Sequence, residues 1–108
     1  GMRGLNPLAM RDNLTAIIRQ LKAARVQILL TGMRAPPNFG QTYAESFNRV
    51  FPQLAKEQGV LFYPFFLEGV VAKPHLNLSD GIHPNKQGVA IIVDRITPYV
   101  VRLLKDLK

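Results

Sequence analysis

The chain has 108 residues, 47% of them hydrophobic and 19% charged, with a formal net charge of +7 and no cysteine. That balance belongs to a globular chain, and the length suits one small domain or part of a larger one. It excludes disulfides, thiolate zinc sites and a cysteine nucleophile, and no apolar run approaches the ~20 residues that cross a bilayer.

The opening GMRGLNPLAM lacks the long apolar segment of a signal peptide. Asn6-Pro7 reads as a helix start, with Asn as N-cap and Pro at the first helical position. Met10, Leu14, Ile17, Ile18 and Leu21 then recur at helical spacing. VQILLTG, Val26 to Gly32, predicts a strand buried on both faces of a parallel sheet. RAPPNFG, Arg34 to Gly40, is a Pro/Gly-rich loop. Tyr43 to Gln58 predicts a helix with Phe47, Val50, Phe51, Leu54 and Ala55 on one side, and Pro52 is expected to kink or divide it. VLFYPFF, Val60 to Phe66, predicts a second buried strand, followed by a long connection containing DGIHPN. From Asn85 onward, Val89, Ile92, Val93, Ile96, Val100, Leu103 and Leu104 mark a last helix, interrupted near Pro98.

Helix, strand, helix, strand, loop, helix is the order of an α/β protein with parallel strands and right-handed crossovers. Two parallel strands are too few, because such sheets have both faces covered and commonly contain four to six strands. The expectation is therefore an incomplete sheet. Residues 1–108 form the C-terminal part of one larger α/β domain, and either a missing N-terminal half or a second copy pairs at the open strand edge.

DGIHPN, Asp80 to Asn85, carries the chemistry. Asp80-Gly81 is a turn signal, Pro84 holds His83 extended, and Asn85 can cap the helix that follows. A carboxylate three residues before the imidazole can bond one ring nitrogen and leave the other free as a base. Ligands of open α/β sheets bind beyond the carboxyl ends of the strands, where this loop lies.

The same stretch looks like the last conserved block of the SGNH (GDSL-type) hydrolases. GMRGL, GMRAPPNFGQTYAESFNRVFPQLAKE and YPFFLEGVVAKPHLNLSDGIHPNKQG resemble, in order, segments of the bacterial thioesterase/lysophospholipase/arylesterase branch. The resemblance implies a flavodoxin-like α/β/α sandwich and a Ser–His–Asp triad acting on esters or thioesters. It makes His83 the general base and Asp80 its partner. The loop around Met33, Arg34, Pro36 and Phe39 would line the acyl-binding groove, with Phe65, Phe66 and Leu67 as further apolar contacts.

The departure from the family pattern is that no G-D-S block, second-block Gly or G-x-N-D block is present. The serines are Ser46, on a polar helix face, and Ser79, beside Asp80. A neighbouring side chain is poorly placed for the in-line geometry that a nucleophile and base need from separate loops. The parent protein is expected to be an enzyme acting on an acyl ester or thioester, and this chain alone to be inactive. The alternative is a non-catalytic module that self-associates through strand pairing. No cofactor is expected, and Asp80, His83 and His75 are too few to suggest a metal site. The basic residues are scattered without interleaved aromatics, so no nucleic-acid partner is expected. Compartment depends on whether a signal peptide precedes: periplasmic or secreted if so, cytoplasmic otherwise.

Overall fold

A computed structural model describes residues 6–35, 38 and 40–105. Helix α1, Pro7–Ala23, begins as its sequence dictates, with the Asn6 side chain accepting the Leu8 N–H at 2.8 Å and Pro7 in the first turn. It ends when Arg25 enters the left-handed region at φ 60° and the Val26 N–H bonds back to the Leu21 carbonyl at 3.0 Å. That closing turn uses residues predicted to be strand. β1 is therefore only Leu29–Thr31, and Val26 is exposed.

Helix α2, Gln41–Gln58, buries all five residues of its predicted apolar face, Phe47, Val50, Phe51, Leu54 and Ala55. Pro52 does not divide it. The tightly packed neighbours Phe51 and Leu54 hold the helix through the missing N–H, so tertiary burial overrides the local penalty. Gly59, at φ 64°, then supplies the left-handed cap.

β2, Leu61–Tyr63, pairs in parallel with β1 in the register Leu29↔Leu61, Leu30↔Phe62 and Thr31↔Tyr63. Both strands are shorter than predicted and only partly buried, because among the described residues the sheet has two strands. Past the strand ends, the Gly32 N–H reaches the Tyr63 carbonyl at 2.7 Å, and the Phe66 N–H reaches the Gly32 carbonyl at 2.9 Å. A side chain at Gly32 would run into the Pro64 carbonyl, so glycine is what allows the two chains to come so close.

Helix α3, Lys86–Lys105, passes through Pro98 without the predicted break. Its packing continues on both sides of the proline: Ile92 is buried, and Tyr99 meets Tyr63 of β2 edge-on at 4.8 Å. Strand alternation separates the helices into layers. Leu30 and Phe62 join the core of α2 with Ile18 of α1, whereas Tyr63 turns to the opposite face and to α3. The result is an α/β/α arrangement on a narrow sheet. A smaller cluster of Val70, Leu76 and Ile92 anchors the long connection to α3.

Candidate active site

The connection between β2 and α3 places its chemistry through a chain of local bonds. A 3-10 turn, Pro74–Leu76, leads into Asn77, which is buried. The Asn77 amide donates to the Val70 carbonyl at 2.9 Å and to the Lys73 carbonyl at 2.8 Å. Asn77 and Pro84 form an antiparallel bridge, and the Leu78 N–H donates to the His83 carbonyl at 2.7 Å. The six residues between are thereby drawn into a closed loop. Gly81 takes φ +71° at its tip, as the Asp-Gly pair predicts.

Asn85 caps α3 by accepting the Gly88 N–H at 2.9 Å, and its amide donates to the His75 carbonyl at 2.9 Å. One side chain thus joins the helix start to the far end of the loop. Gly88 faces the same junction. A Cβ there would meet the Leu76 carbonyl, with Pro84 and Val70 side chains at 3.1 Å.

Inside this frame, His83 Nδ1 lies 2.6 Å from Asp80 Oδ2. The other carboxylate oxygen accepts the Ile82 N–H at 2.9 Å and the His83 N–H at 3.0 Å. Hydrogen bonding to the His83 ring, then to the two backbone N–H groups, lowers the Asp80 pKa from 3.8 to about 2. With Asp80 ionised, Nδ1 carries the proton and Nε2 presents its lone pair outward. Among the described residues Nε2 has no hydrogen-bond partner, and the His83 side chain is 71% exposed. Neither Ser46 nor Ser79 bonds to it, and both are exposed.

A cleft of about 770 Å³ opens beside this loop. Gly81 and Ile82 form one wall, and Met33, Arg34, Phe65, Leu67 and Val71 are among the others. The lining is mostly apolar in residue type. Arg34 sits over the Phe65 ring at 4.6 Å from its centre, a cation–π contact that holds it at the cleft. Pro36 and Phe39 lie outside the described residues. Phe66 does not line the cleft, and His75 is exposed and serves the loop through its carbonyl.

Several contributors escape sequence reasoning. Asn48 accepts the Ala35 N–H at 2.8 Å and ties the segment carrying Met33 and Arg34 to α2. Asn77 and Gly88 fix the loop from behind. None has a local signature, since Asn48 reads as an ordinary polar helix position and Asn77 as a loop residue. A glycine inside a helical pattern was the one available hint, at Gly88. Among the described residues no three His, Cys, Asp or Glu side chains are grouped to share a metal ion, and no helix is long and apolar enough to cross a membrane.

The fold and the Asp–His loop together define an α/β protein of the SGNH hydrolase type. Among solved structures, that of TesA superposes with a TM-score of 0.87 at 32% identity, over 94% of this chain and 57% of that one. The psychrotrophic esterase EstA from Pseudoalteromonas sp. superposes with a TM-score of 0.89 at 29% identity, over 98% of this chain and 58% of that one. The family model of the GDSL-like lipase/acylhydrolase family matches residues 1–91, and the chain belongs to that family. It is 42% identical over 94 residues to thioesterase 1/protease 1/lysophospholipase L1 of Escherichia coli (strain K12), covering 87% of this chain and 45% of that protein. It is 34% identical over 104 residues to an arylesterase of Vibrio mimicus, covering 96% of this chain and 52% of that protein. The chain thus spans about half the length of these relatives.

Proposed function

We propose that residues 1–108 are the C-terminal part of one hydrolase domain and supply the Asp–His pair of a Ser–His–Asp triad acting on esters or thioesters. The observation that carries this reading is the 2.6 Å contact between Asp80 and His83 Nδ1, with Nε2 left open. In this role Asp80 holds the ring and stabilises the imidazolium, and His83 acts as general base through Nε2. The nucleophilic Ser and the oxyanion-binding Gly and Asn belong to a part of the domain outside this chain. The serine Oγ attacks the acyl carbonyl while its proton passes to Nε2. His83 then returns the proton to the leaving alcohol or thiol, and water releases the acyl group by the reverse sequence.

The cleft beside Ile82 fits the acyl chain, with Met33 and Arg34 among its lining residues. Its apolar walls suit an acyl-CoA or other acyl thioester, an aryl ester or a lysophospholipid, and the relatives' names are thioesterase, lysophospholipase and arylesterase.

The test is hydrolysis of p-nitrophenyl butyrate by this chain alone and by the complete domain. The expectation is no turnover by the 108 residues and turnover by the complete domain that His83→Ala abolishes. Turnover by the short chain, lost in Ser79→Ala, would overturn the assignment of the nucleophile.

A further inference from the structure

The cleft beside the Asp–His loop has two unlike walls. One comes from the connection between β2 and α3, where Val71 and Ile82 present aliphatic carbon. The other comes from the segment after β1 and the first turns of α2, and it holds the polar side chains of the lining, Arg34, Gln41 and Asn48. None of the described residues lining the cleft is Asp or Glu. A few polar groups on an apolar cavity are what fix the orientation of a ligand and select it.

Here the groups left free are donors. The Asn48 carbonyl oxygen is taken by the Ala35 N–H at 2.8 Å, and its NH2 group has no partner among the described residues. Because a backbone N–H can only donate, that bond also fixes which end of the amide is which. The Gln41 amide is engaged by Glu45 at 3.0 Å. Arg34 makes no hydrogen bond or ion pair among the described residues, and its contact is the ring of the buried Phe65, 4.6 Å from the ring centre. A ring engages the face of a guanidinium and leaves the N–H fork at its edge available.

The acids nearest the cleft are engaged elsewhere. Glu45 receives the Gln41 amide, Asp80 is bonded to His83 and to two backbone N–H groups, and Glu68 bears on Tyr63, which faces α3. Arg34 reaches solvent, which meets the cost of an unpaired charge. The ring contact keeps its donors at the cleft when a ligand displaces that water.

We propose that the cleft takes esters or thioesters whose apolar arm carries an anionic group, a carboxylate or a phosphate, and that Arg34, with the Asn48 amide beside it, selects them. This rests on the reading of His83 as the base that serves an acyl ester, and Arg34 decides which such esters fit. A neutral chain fills the apolar part equally well but leaves the guanidinium in water, so the preference comes from the anion. Carboxylate and phosphate both match the fork with paired oxygens, whether carried on the acyl arm or on the leaving group.

Binding is read on the 108-residue chain, with the Arg34 Nε–H resonance as reporter and octyl phosphate and 1-octanol as probes. The phosphate should bind at least about tenfold tighter than the alcohol and shift that resonance. Arg34→Gln should erase the preference, and Arg34→Lys, which keeps the charge without the fork, should restore part of it. Equal affinity for the two probes overturns the proposal. So does a preference that survives Arg34→Gln, which would place the anion elsewhere on a surface of net charge +7.

Turnover by the complete domain then locates the anion. Arg34→Gln should lower kcat/KM for p-nitrophenyl hydrogen suberate relative to p-nitrophenyl octanoate if the anion sits on the acyl arm. It should lower kcat/KM for octanoyl-CoA relative to S-octanoyl-N-acetylcysteamine if the anion sits on the leaving group. An active domain in which neither ratio moves overturns the proposal. If octyl phosphate binds through Arg34 and the complete domain hydrolyses none of these esters, the anion site stands and the hydrolase reading fails. If p-nitrophenyl butyrate is hydrolysed while octyl phosphate gains nothing from Arg34, the hydrolase reading stands and the anion site fails.

Discussion

Asp80 and His83 are joined twice: ring to carboxylate at 2.6 Å, and backbone N–H to the other carboxylate oxygen at 3.0 Å. The second bond gives the first its direction. A carboxylate held by the backbone of the residue it serves cannot swing away from the ring without losing both contacts. The loop therefore fixes the orientation of the imidazole by itself, as the proposed triad role requires.

The first prediction follows from the charge on that carboxylate. Its pKa is lowered from 3.8 to about 2 by the His83 ring and the two N–H groups. Because the folded value is the lower one, the ionised group's contribution to stability is complete above the ordinary value and is lost as pH falls through about 2. Carbon-13 titration of the Asp80 carboxyl should give a midpoint near 2, and His83→Ala should move it upward. A midpoint at the ordinary value in the unchanged chain would mean that the pair does not form in solution.

Asp80→Asn keeps the shape but reverses the demand on the ring, since an amide N–H prefers an unprotonated Nδ1. In the complete domain kcat should fall by about four orders of magnitude. Binding of a substrate analogue should change little. A loss of less than tenfold would remove Asp80 from the triad.

Asn77→Ala removes the amide donated to the Val70 and Lys73 carbonyls. Each carbonyl keeps one backbone partner, the Lys73 N–H for Val70 and the Leu76 N–H for Lys73, so the cost is that of the lost amide bonds, about 0.5–1.5 kcal/mol each. Urea denaturation should show that loss, and the His83 ring resonances should broaden as the loop loosens. Unchanged stability would show that water replaces the amide.

Gly88→Ala sets two effects against each other. Alanine improves helix propensity by about 1 kcal/mol, but its methyl would enter the Leu76 carbonyl. Overpacking costs about 1–3 kcal/mol, so the variant should be less stable, with α3 pushed from the loop. The Asp80–His83 contact should lengthen with it, read as an upward shift in the Asp80 titration. A more stable variant would show that the junction relaxes freely.

Much of this protein was legible because it depends on neighbours in sequence. Asn6 caps α1, the apolar positions of α2 repeat at helical spacing, and Asp80-Gly81 turns toward His83, all through contacts a few residues long. The strand lengths were not legible. An apolar run marks what can be a strand, but pairing decides how much of it is one, and here Val26 closes a helix instead. Pro52 and Pro98 likewise break helices on local grounds, and packing against the sheet carried both helices through.

Capping, periodicity and turn chemistry act over three or four residues, so the α/β order, the helix caps and the Asp–His loop could be read directly from the chain. It took the packed structure to show that Asn77, Asn85 and Gly88 lock that loop to α3, that a cleft opens beside Ile82, and that Val89, Val93 and Leu104 of α3 are exposed. Those features require groups distant in the chain to share hydrogen bonds and surface, and burial is settled only when the elements are packed together.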